Sequence, residues 1–141
     1  MTLSQPDPYP DDPADGLAGA DPLLRALRIQ ERVSRLGFDW ADPRGGWEKV
    51  REEIEEVGAE LGEMDRNRLE EEIGDLLFSV VNLARLLEVH PGRALARANA
   101  RFSARFTEVE RLAAERGMVV GEASLEELDA LWNEIKHAER G

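Results

Sequence analysis

The chain reads as an all-α protein: a bundle of four or five helices, completed by packing against further copies of itself. Apolar residues recur at three- and four-residue intervals, as in Val50, Ile54, Val57 and Leu61, the period of one face of a helix. Helix-start signals recur too: Asp21-Pro22, Asn67 with Glu70 three residues on, and Ser124 with Glu127 three residues on. No segment alternates polar and apolar residues over the length of a strand, and the joining segments are short, as in helical bundles.

Each element follows in order. Residues 1–20 hold Pro6, Pro8, Pro10 and Pro13 with scattered aspartates, and this composition predicts a disordered tail ahead of a single domain spanning 21–141. Asp21 as N-cap and Pro22 as first helical residue open helix one, which runs to about Leu36 with Leu24, Leu27 and Val33 inward. Residues 37–46, with Gly37-Phe38-Asp39-Trp40, Pro43 and a Gly-Gly pair, read as a loop. Helix two starts near Trp47 and carries the Val50/Ile54/Val57/Leu61 stripe inward. Helix three, capped by Asn67, runs to about Glu88. Pro91 opens a fourth helix reaching about Arg116, with Leu95, Phe102, Phe106, Val109 and Ala113 as its core face, and Gly117 ends it. The Ser124/Glu127 capping box starts a last helix through about His137. Met118–Val120 could be extended, with nothing to pair against.

Composition narrows the function. A net charge of −12 makes nucleic acid and anionic membranes poor partners for the whole protein. A small anionic substrate needs cations and a local basic patch. There is no cysteine and there are two histidines, so thiolate zinc sites, disulfides and thiol nucleophiles are excluded. No apolar run is long enough to span a bilayer and no signal-peptide pattern opens the chain, so a cytoplasmic location is expected. Lys49 and Lys136 are the only lysines among 18 basic residues; arginine suits bidentate phosphate binding, and high-GC codon usage explains the bias equally well.

The most informative residues are acidic. Glu53 and Glu56 on helix two, and Glu72 and Asp75 on helix three, are each spaced i, i+3, so each pair leaves one face of its helix about a turn apart. Two such helices side by side bring four carboxylates together. At an effective dielectric of about 20, two bare charges ~4 Å apart repel by roughly 4 kcal/mol, so the cluster calls for a cation. Oxygen-only ligands favour Mg²⁺ or Mn²⁺. Helix three is apolar around most of its circumference, through Ile73, Leu76, Leu77, Val80, Val81, Leu83, Ala84 and Leu87. A helix of this kind is expected to be central and buried, with a second subunit covering what one chain leaves open. Glu72 and Asp75 at its apolar edge are then unlike solvated acids, whereas Glu48, Glu52, Glu55, Glu60 and Glu63 taken singly read as an ordinary solvated face.

No P-loop, GxGxxG, EF-hand loop or HExxH occurs. Glu134 and His137 form one ExxH, and a carboxylate-bridged di-iron bundle requires two. Arg93, Arg97, Arg101 and Arg105 form an i+4 ridge, readable as a phosphate contact or as a solvated stripe pairing with acids. Asn99 lies among them. Trp132 and Lys136, also i, i+4, suit stacking on a base and holding a phosphate, and a core tryptophan accounts for the first equally well.

Residues 24–137 resemble the MazG-type nucleoside triphosphate pyrophosphohydrolases of the all-α NTP pyrophosphatase superfamily. The family's EExxE…ExxD signature stands here as Glu52, Glu53 and Glu56, then Glu72 and Asp75, joined to DLLFSVVNLA and ANARFSARF. The resemblance implies hydrolysis of an NTP or dNTP to monophosphate and pyrophosphate with Mg²⁺ or Mn²⁺, as nucleotide-pool house-cleaning. It implies metal ligation by Glu53, Glu56, Glu72 and Asp75, with Glu52 or one of these orienting the attacking water. Arg68, Arg101, Arg105 and Lys136 match triphosphate contacts, Trp132 a nucleoside contact, and Asn99 belongs to the same substrate-binding set. Position 101 is commonly lysine in the family, so arginine there alters the reach. Many relatives carry two such domains; this chain has one, and its GFDW start resembles their second. A homodimer or dimer of dimers is expected. A non-catalytic nucleotide-binding or interaction module, or a purely structural acidic bundle, would use the same fold.

Overall fold

The computed structural model describes residues 21–62 and 65–140; the tail expected over 1–20 lies outside them. Five α-helices follow one another: α1 (Pro22–Arg35), α2 (Pro43–Glu60), α3 (Arg66–Leu86), α4 (Pro91–Glu115) and α5 (Leu125–Arg140), with a 3₁₀ turn over Val120–Glu122. No strand occurs among the described residues. The all-α expectation holds. The chain forms two compact units, one through Gly92 and one from Arg93.

The first unit holds α1, α2 and α3, with α2 and α1 both packed against α3. Asp21 caps α1 as expected, its carboxylate accepting from the Leu23 and Leu24 amides at 3.0 and 3.4 Å. Helix α2 begins four residues earlier than the sequence pattern predicts, because Asp42-Pro43 repeats the same cap: Asp42 accepts from the Arg44 amide at 2.8 Å. The Gly-Gly pair lies inside the helix. A Cβ on Gly46 would come within 2.6 Å of the Leu86 Cδ1, so glycine marks where α2 approaches α3 closely. The cap of α3 is Asp65 rather than Asn67, accepting from the Asn67 and Arg68 amides.

The face that α2 turns inward differs from the expected stripe. Gly46, Val50, Glu53 and Glu60 are buried, whereas Ile54 and Leu61 are exposed. Positions 46, 53 and 60 repeat every seven residues, and Val50 lies on the same side. This register carries two glutamates toward α3 and leaves Trp47, Ile54 and Leu61 outward. Helix α3 is likewise not buried within one chain: Ser79 and Val81 are its buried residues, and Ile73, Leu77, Val80 and Leu87 stand 42–55% exposed.

The second unit is built on Val109, Ala113 and Leu131, all at most 3% exposed, with Phe106, Leu112, Leu128, Trp132 and Ile135 packed around them. Leu95 and Phe102, expected in the core, are 51% and 59% exposed; along α4, the residues packed on the buried cluster begin at Phe106. The Ser124/Glu127 box forms reciprocally, each bond 3.1 Å, and α5 continues to Arg140. Gly117, at φ +69°, closes α4 in a Schellman turn: its own amide donates to Ala114 O and that of Met118 to Ala113 O. Helix α3 ends in the same turn with Glu88 at φ +60° in glycine's place.

Candidate metal centre and nucleotide-contact residues

Glu53 comes from the buried face of α2; Glu72 and Asp75 come from adjacent turns of α3. One carboxylate oxygen from each lies within 4.8 Å of the others. Burial is graded across the group: Glu53 is buried, Glu72 partly buried and Asp75 exposed, so the cluster opens to solvent on the α3 side. Partial burial, followed by the charges of Glu56, Asp75, Glu53 and Glu60, raises the Glu72 pKa above the ordinary glutamate value. Glu56 lies outside the close trio, yet its charge acts on it. Lys49 Nζ sits 3.1 Å from Glu53 Oε1 and 3.6 Å from Glu52 Oε1. These acids raise its pKa, the Glu53 hydrogen bond most. Glu52 is exposed.

Glu60 departs from the sequence expectation. It is 8% exposed, not solvated. Arg68 Nη2 forms an ion pair with its Oε1 at 2.9 Å, while Oε2 is buried without a hydrogen-bond partner. The signal in the sequence is its place one heptad after Glu53, which puts both on the face toward α3.

The remaining candidates belong to the second unit. Asn99 and Arg101 are exposed on α4. Arg105 lies over the Trp132 ring, 5.9 Å from its centroid, and donates to Glu139 at 3.0 Å. Trp132 also packs against Phe102, with centroids 5.1 Å apart. Lys136 is partly buried one turn further along α5. Trp132 thus joins the core edge and a guanidinium at once.

In the first unit, the loop after α1 is held by Asp39. Arg85 of α3 donates to both of its oxygens, and Ser34 Oγ adds a third bond. The Arg85 and Ser34 hydrogen bonds lower the Asp39 pKa from 3.8 to about 2. A carboxyl whose pKa falls on folding contributes stability above its unfolded pKa, lost as pH drops through the folded one. The stability gap between the wild type and Arg85→Ala is therefore expected to be full at about pH 5 and to shrink between about pH 4 and 2. Urea midpoints across that range measure it. An unchanging gap would show that the pair contributes by packing alone.

The fold and the trio define an α-helical domain whose oxygen-only donor set fits a hard divalent cation. The chain carries a domain of the MazG family: residues 47–111 match the MazG nucleotide pyrophosphohydrolase domain. Over 120 residues it is 46% identical to the nucleoside triphosphate pyrophosphohydrolase/pyrophosphatase MazG of Thermotoga maritima, covering 82% of this chain and 46% of that protein. Over 119 residues it is 44% identical to the Escherichia coli nucleoside triphosphate pyrophosphohydrolase, covering 83% of this chain and 45% of that one. An uncharacterized Bacillus subtilis protein, YabN, is 43% identical over 74 residues, 52% of this chain and 15% of its own length. The chain thus spans about half the length of the T. maritima and E. coli relatives.

Proposed function

We propose that this protein hydrolyses nucleoside or deoxynucleoside triphosphates to the monophosphate and pyrophosphate, with Mg²⁺ or Mn²⁺ bound at the acidic cluster. The observation that carries the reading is the convergence of Glu53, Glu72 and Asp75 within 4.8 Å. The named activity of the T. maritima and E. coli relatives supports it. In this reading Glu53, Glu72 and Asp75 hold the cation, and Glu56 completes its shell or takes a second ion. Bound there, a divalent ion supplies charge neutralisation at the phosphate oxygens and lowers the pKa of a water.

The chain's own groups do the rest. Glu52, exposed beside Lys49, or one of the ligand carboxylates orients the attacking water. Lys49, paired with Glu53 at 3.1 Å, would yield that carboxylate to a cation held there. Arg68, Arg101, Arg105 and Lys136 bind the triphosphate and hold the leaving pyrophosphate, Asn99 adds a polar contact to the substrate, and Trp132 contacts the nucleoside. Residues 21–141 act as one domain, and a second copy of the chain covers the open apolar faces of α2 and α3. Nucleic acid is not a partner of so acidic a chain, and no described helix is long and apolar enough to cross a membrane. The role is cytoplasmic clearance of surplus or damaged nucleotides.

A panel of canonical and oxidised NTPs and dNTPs, each with Mg²⁺, Mn²⁺ or EDTA, tests this. Monophosphate formation that EDTA abolishes is expected. Binding without turnover across the panel would replace the enzyme by a nucleotide-binding module.

A further inference from the structure

Glu60 takes no part in the chemistry above, yet it is buried as deeply as Glu53. Burying an acid is costly unless a cation answers it. The answer here is Arg68 of α3, whose Nη2 lies 2.9 Å from Glu60 Oε1. The partners are unlike: the Glu60 side chain is 11% exposed and that of Arg68 62%. We propose that Glu60 is a positioning residue, a fixed buried anchor that aims Arg68 at the far end of the substrate's triphosphate, an assignment that rests on the nucleotide reading above.

Helix register puts the pair on the same seam as the metal centre. On α2, Glu60 follows Glu53 by seven residues, so both face α3. On α3, Arg68 precedes Glu72 and Asp75 by four and seven residues, one stripe of that helix. Glu53 meets Glu72 and Asp75, and Glu60 meets Arg68. The seam therefore carries the carboxylate trio and, about 6 Å further along the α3 axis from Glu72, a guanidinium. A polyphosphate with its reacting phosphorus at the trio lies along this seam and brings its later phosphates to Arg68.

The asymmetry of the pair decides which partner holds the other. Arg68 stands in the first turn of α3 and largely in solvent, where an arginine samples many rotamers. Glu60 cannot follow it outward. Its Oε2 is buried with no hydrogen-bond partner, so a departing guanidinium would leave an uncompensated charge inside the seam. The ion pair therefore persists when substrate arrives. It engages Nη2, and a guanidinium carries five N–H donors on a charge that is never titrated away. Nε and Nη1 are the nitrogens that meet phosphate oxygens, in the fork geometry that suits them. Ordering Arg68 beforehand removes an entropic cost from binding itself.

Two substitutions at Glu60 separate positioning from support of the fold. Glu60→Leu replaces the buried carboxylate by an apolar side chain and leaves Arg68 in solvent, so it should fold and melt at or above the wild-type temperature. Its KM for nucleoside triphosphates should nonetheless rise ~10-fold, the order of affinity lost when an arginine must be ordered on binding. Its kcat should change less than ~3-fold, because binding common to the ground and transition states is what is lost. Glu60→Gln, which keeps the shape, should move KM the same way by less, and it carries the test if the leucine variant does not fold. Arg68→Ala should raise KM at least as much, and adding Glu60→Leu to it should raise KM no further, since the anchor then has nothing to aim. Inorganic tripolyphosphate with Mg²⁺, titrated calorimetrically into the same variants, should repeat the pattern without nucleoside or turnover. An unchanged or lowered KM in the Glu60 variants, or an equal rise in the Arg68→Ala background, would overturn the assignment. Hydrolysis that is intact while KM and tripolyphosphate binding ignore Glu60 sinks the positioning role alone. Tripolyphosphate binding that depends on Glu60 and Arg68, without hydrolysis of any nucleotide, sinks the enzyme reading alone. A wild type that neither hydrolyses nor binds sinks both.

Discussion

Asp75→Ala is expected to lower kcat for triphosphate hydrolysis by ~1,000-fold or more, because removing a metal ligand removes electrostatic stabilisation from the transition state. Asp75 is exposed at the open side of the trio, so the variant should fold and melt in EDTA at or above the wild-type temperature. Glu53→Ala should show a similar loss of rate with a larger structural effect, since Glu53 is buried and ion-paired with Lys49. The contrast separates catalysis from stability. Steady-state kinetics and melting curves on both variants decide it, and a folded Asp75→Ala that keeps the wild-type rate would remove the cluster from the mechanism.

The second large effect concerns the cation and the fold together. Three carboxylates within 4.8 Å repel one another without a counter-ion, and the raised Glu72 pKa reports that repulsion along with partial burial. A carboxyl raised on folding contributes stability that is present at low pH and lost as pH rises through its folded pKa. At neutral pH in EDTA, Glu72→Gln is therefore expected to raise the melting temperature. Saturating Mg²⁺ or Mn²⁺ should reverse the order. An ion that binds only the folded state stabilises it by about 2.7 kcal/mol at 100 times its Kd, and the variant, with a neutral amide in place of the carboxylate, forfeits most of that gain. Melting curves of both proteins with and without the ion give the four values. A cation-induced shift equal in the two proteins would place the ion elsewhere.

Much of the fold is legible in the sequence because helix ends are local chemistry. Asp21-Pro22 and the Ser124/Glu127 box involve neighbours within three residues, and both form as expected. The start of α2 is less legible because Gly45-Gly46 reads as a break. Gly46 instead serves a tertiary need, close approach to Leu86, which no local pattern announces. The inward face of α2 is obscured for a related reason. Ile54 and Leu61 are the greasier choice by composition, yet Glu53 and Glu60 are the buried ones. The site's four acids are legible as two i, i+3 pairs. That Glu53, Glu72 and Asp75 make the close trio, with Glu56 to one side, depends on how α2 and α3 are rotated against each other. The burial of Gln30 is invisible in sequence, since it depends on where α1 meets the Phe78 carbonyl of α3, to which Gln30 Nε2 donates.

In the proposed reaction, water attacks the α-phosphorus of a nucleoside triphosphate at the α2–α3 carboxylates. Hydrolysis in ¹⁸O-labelled water with Mg²⁺, read by mass spectrometry of the separated products, tests it most directly. The expected result is one ¹⁸O in the nucleoside monophosphate, none in the pyrophosphate, and no reaction with EDTA or with Asp75→Ala. Label in pyrophosphate, a diphosphate product, or turnover that survives the loss of Asp75 would contradict the account.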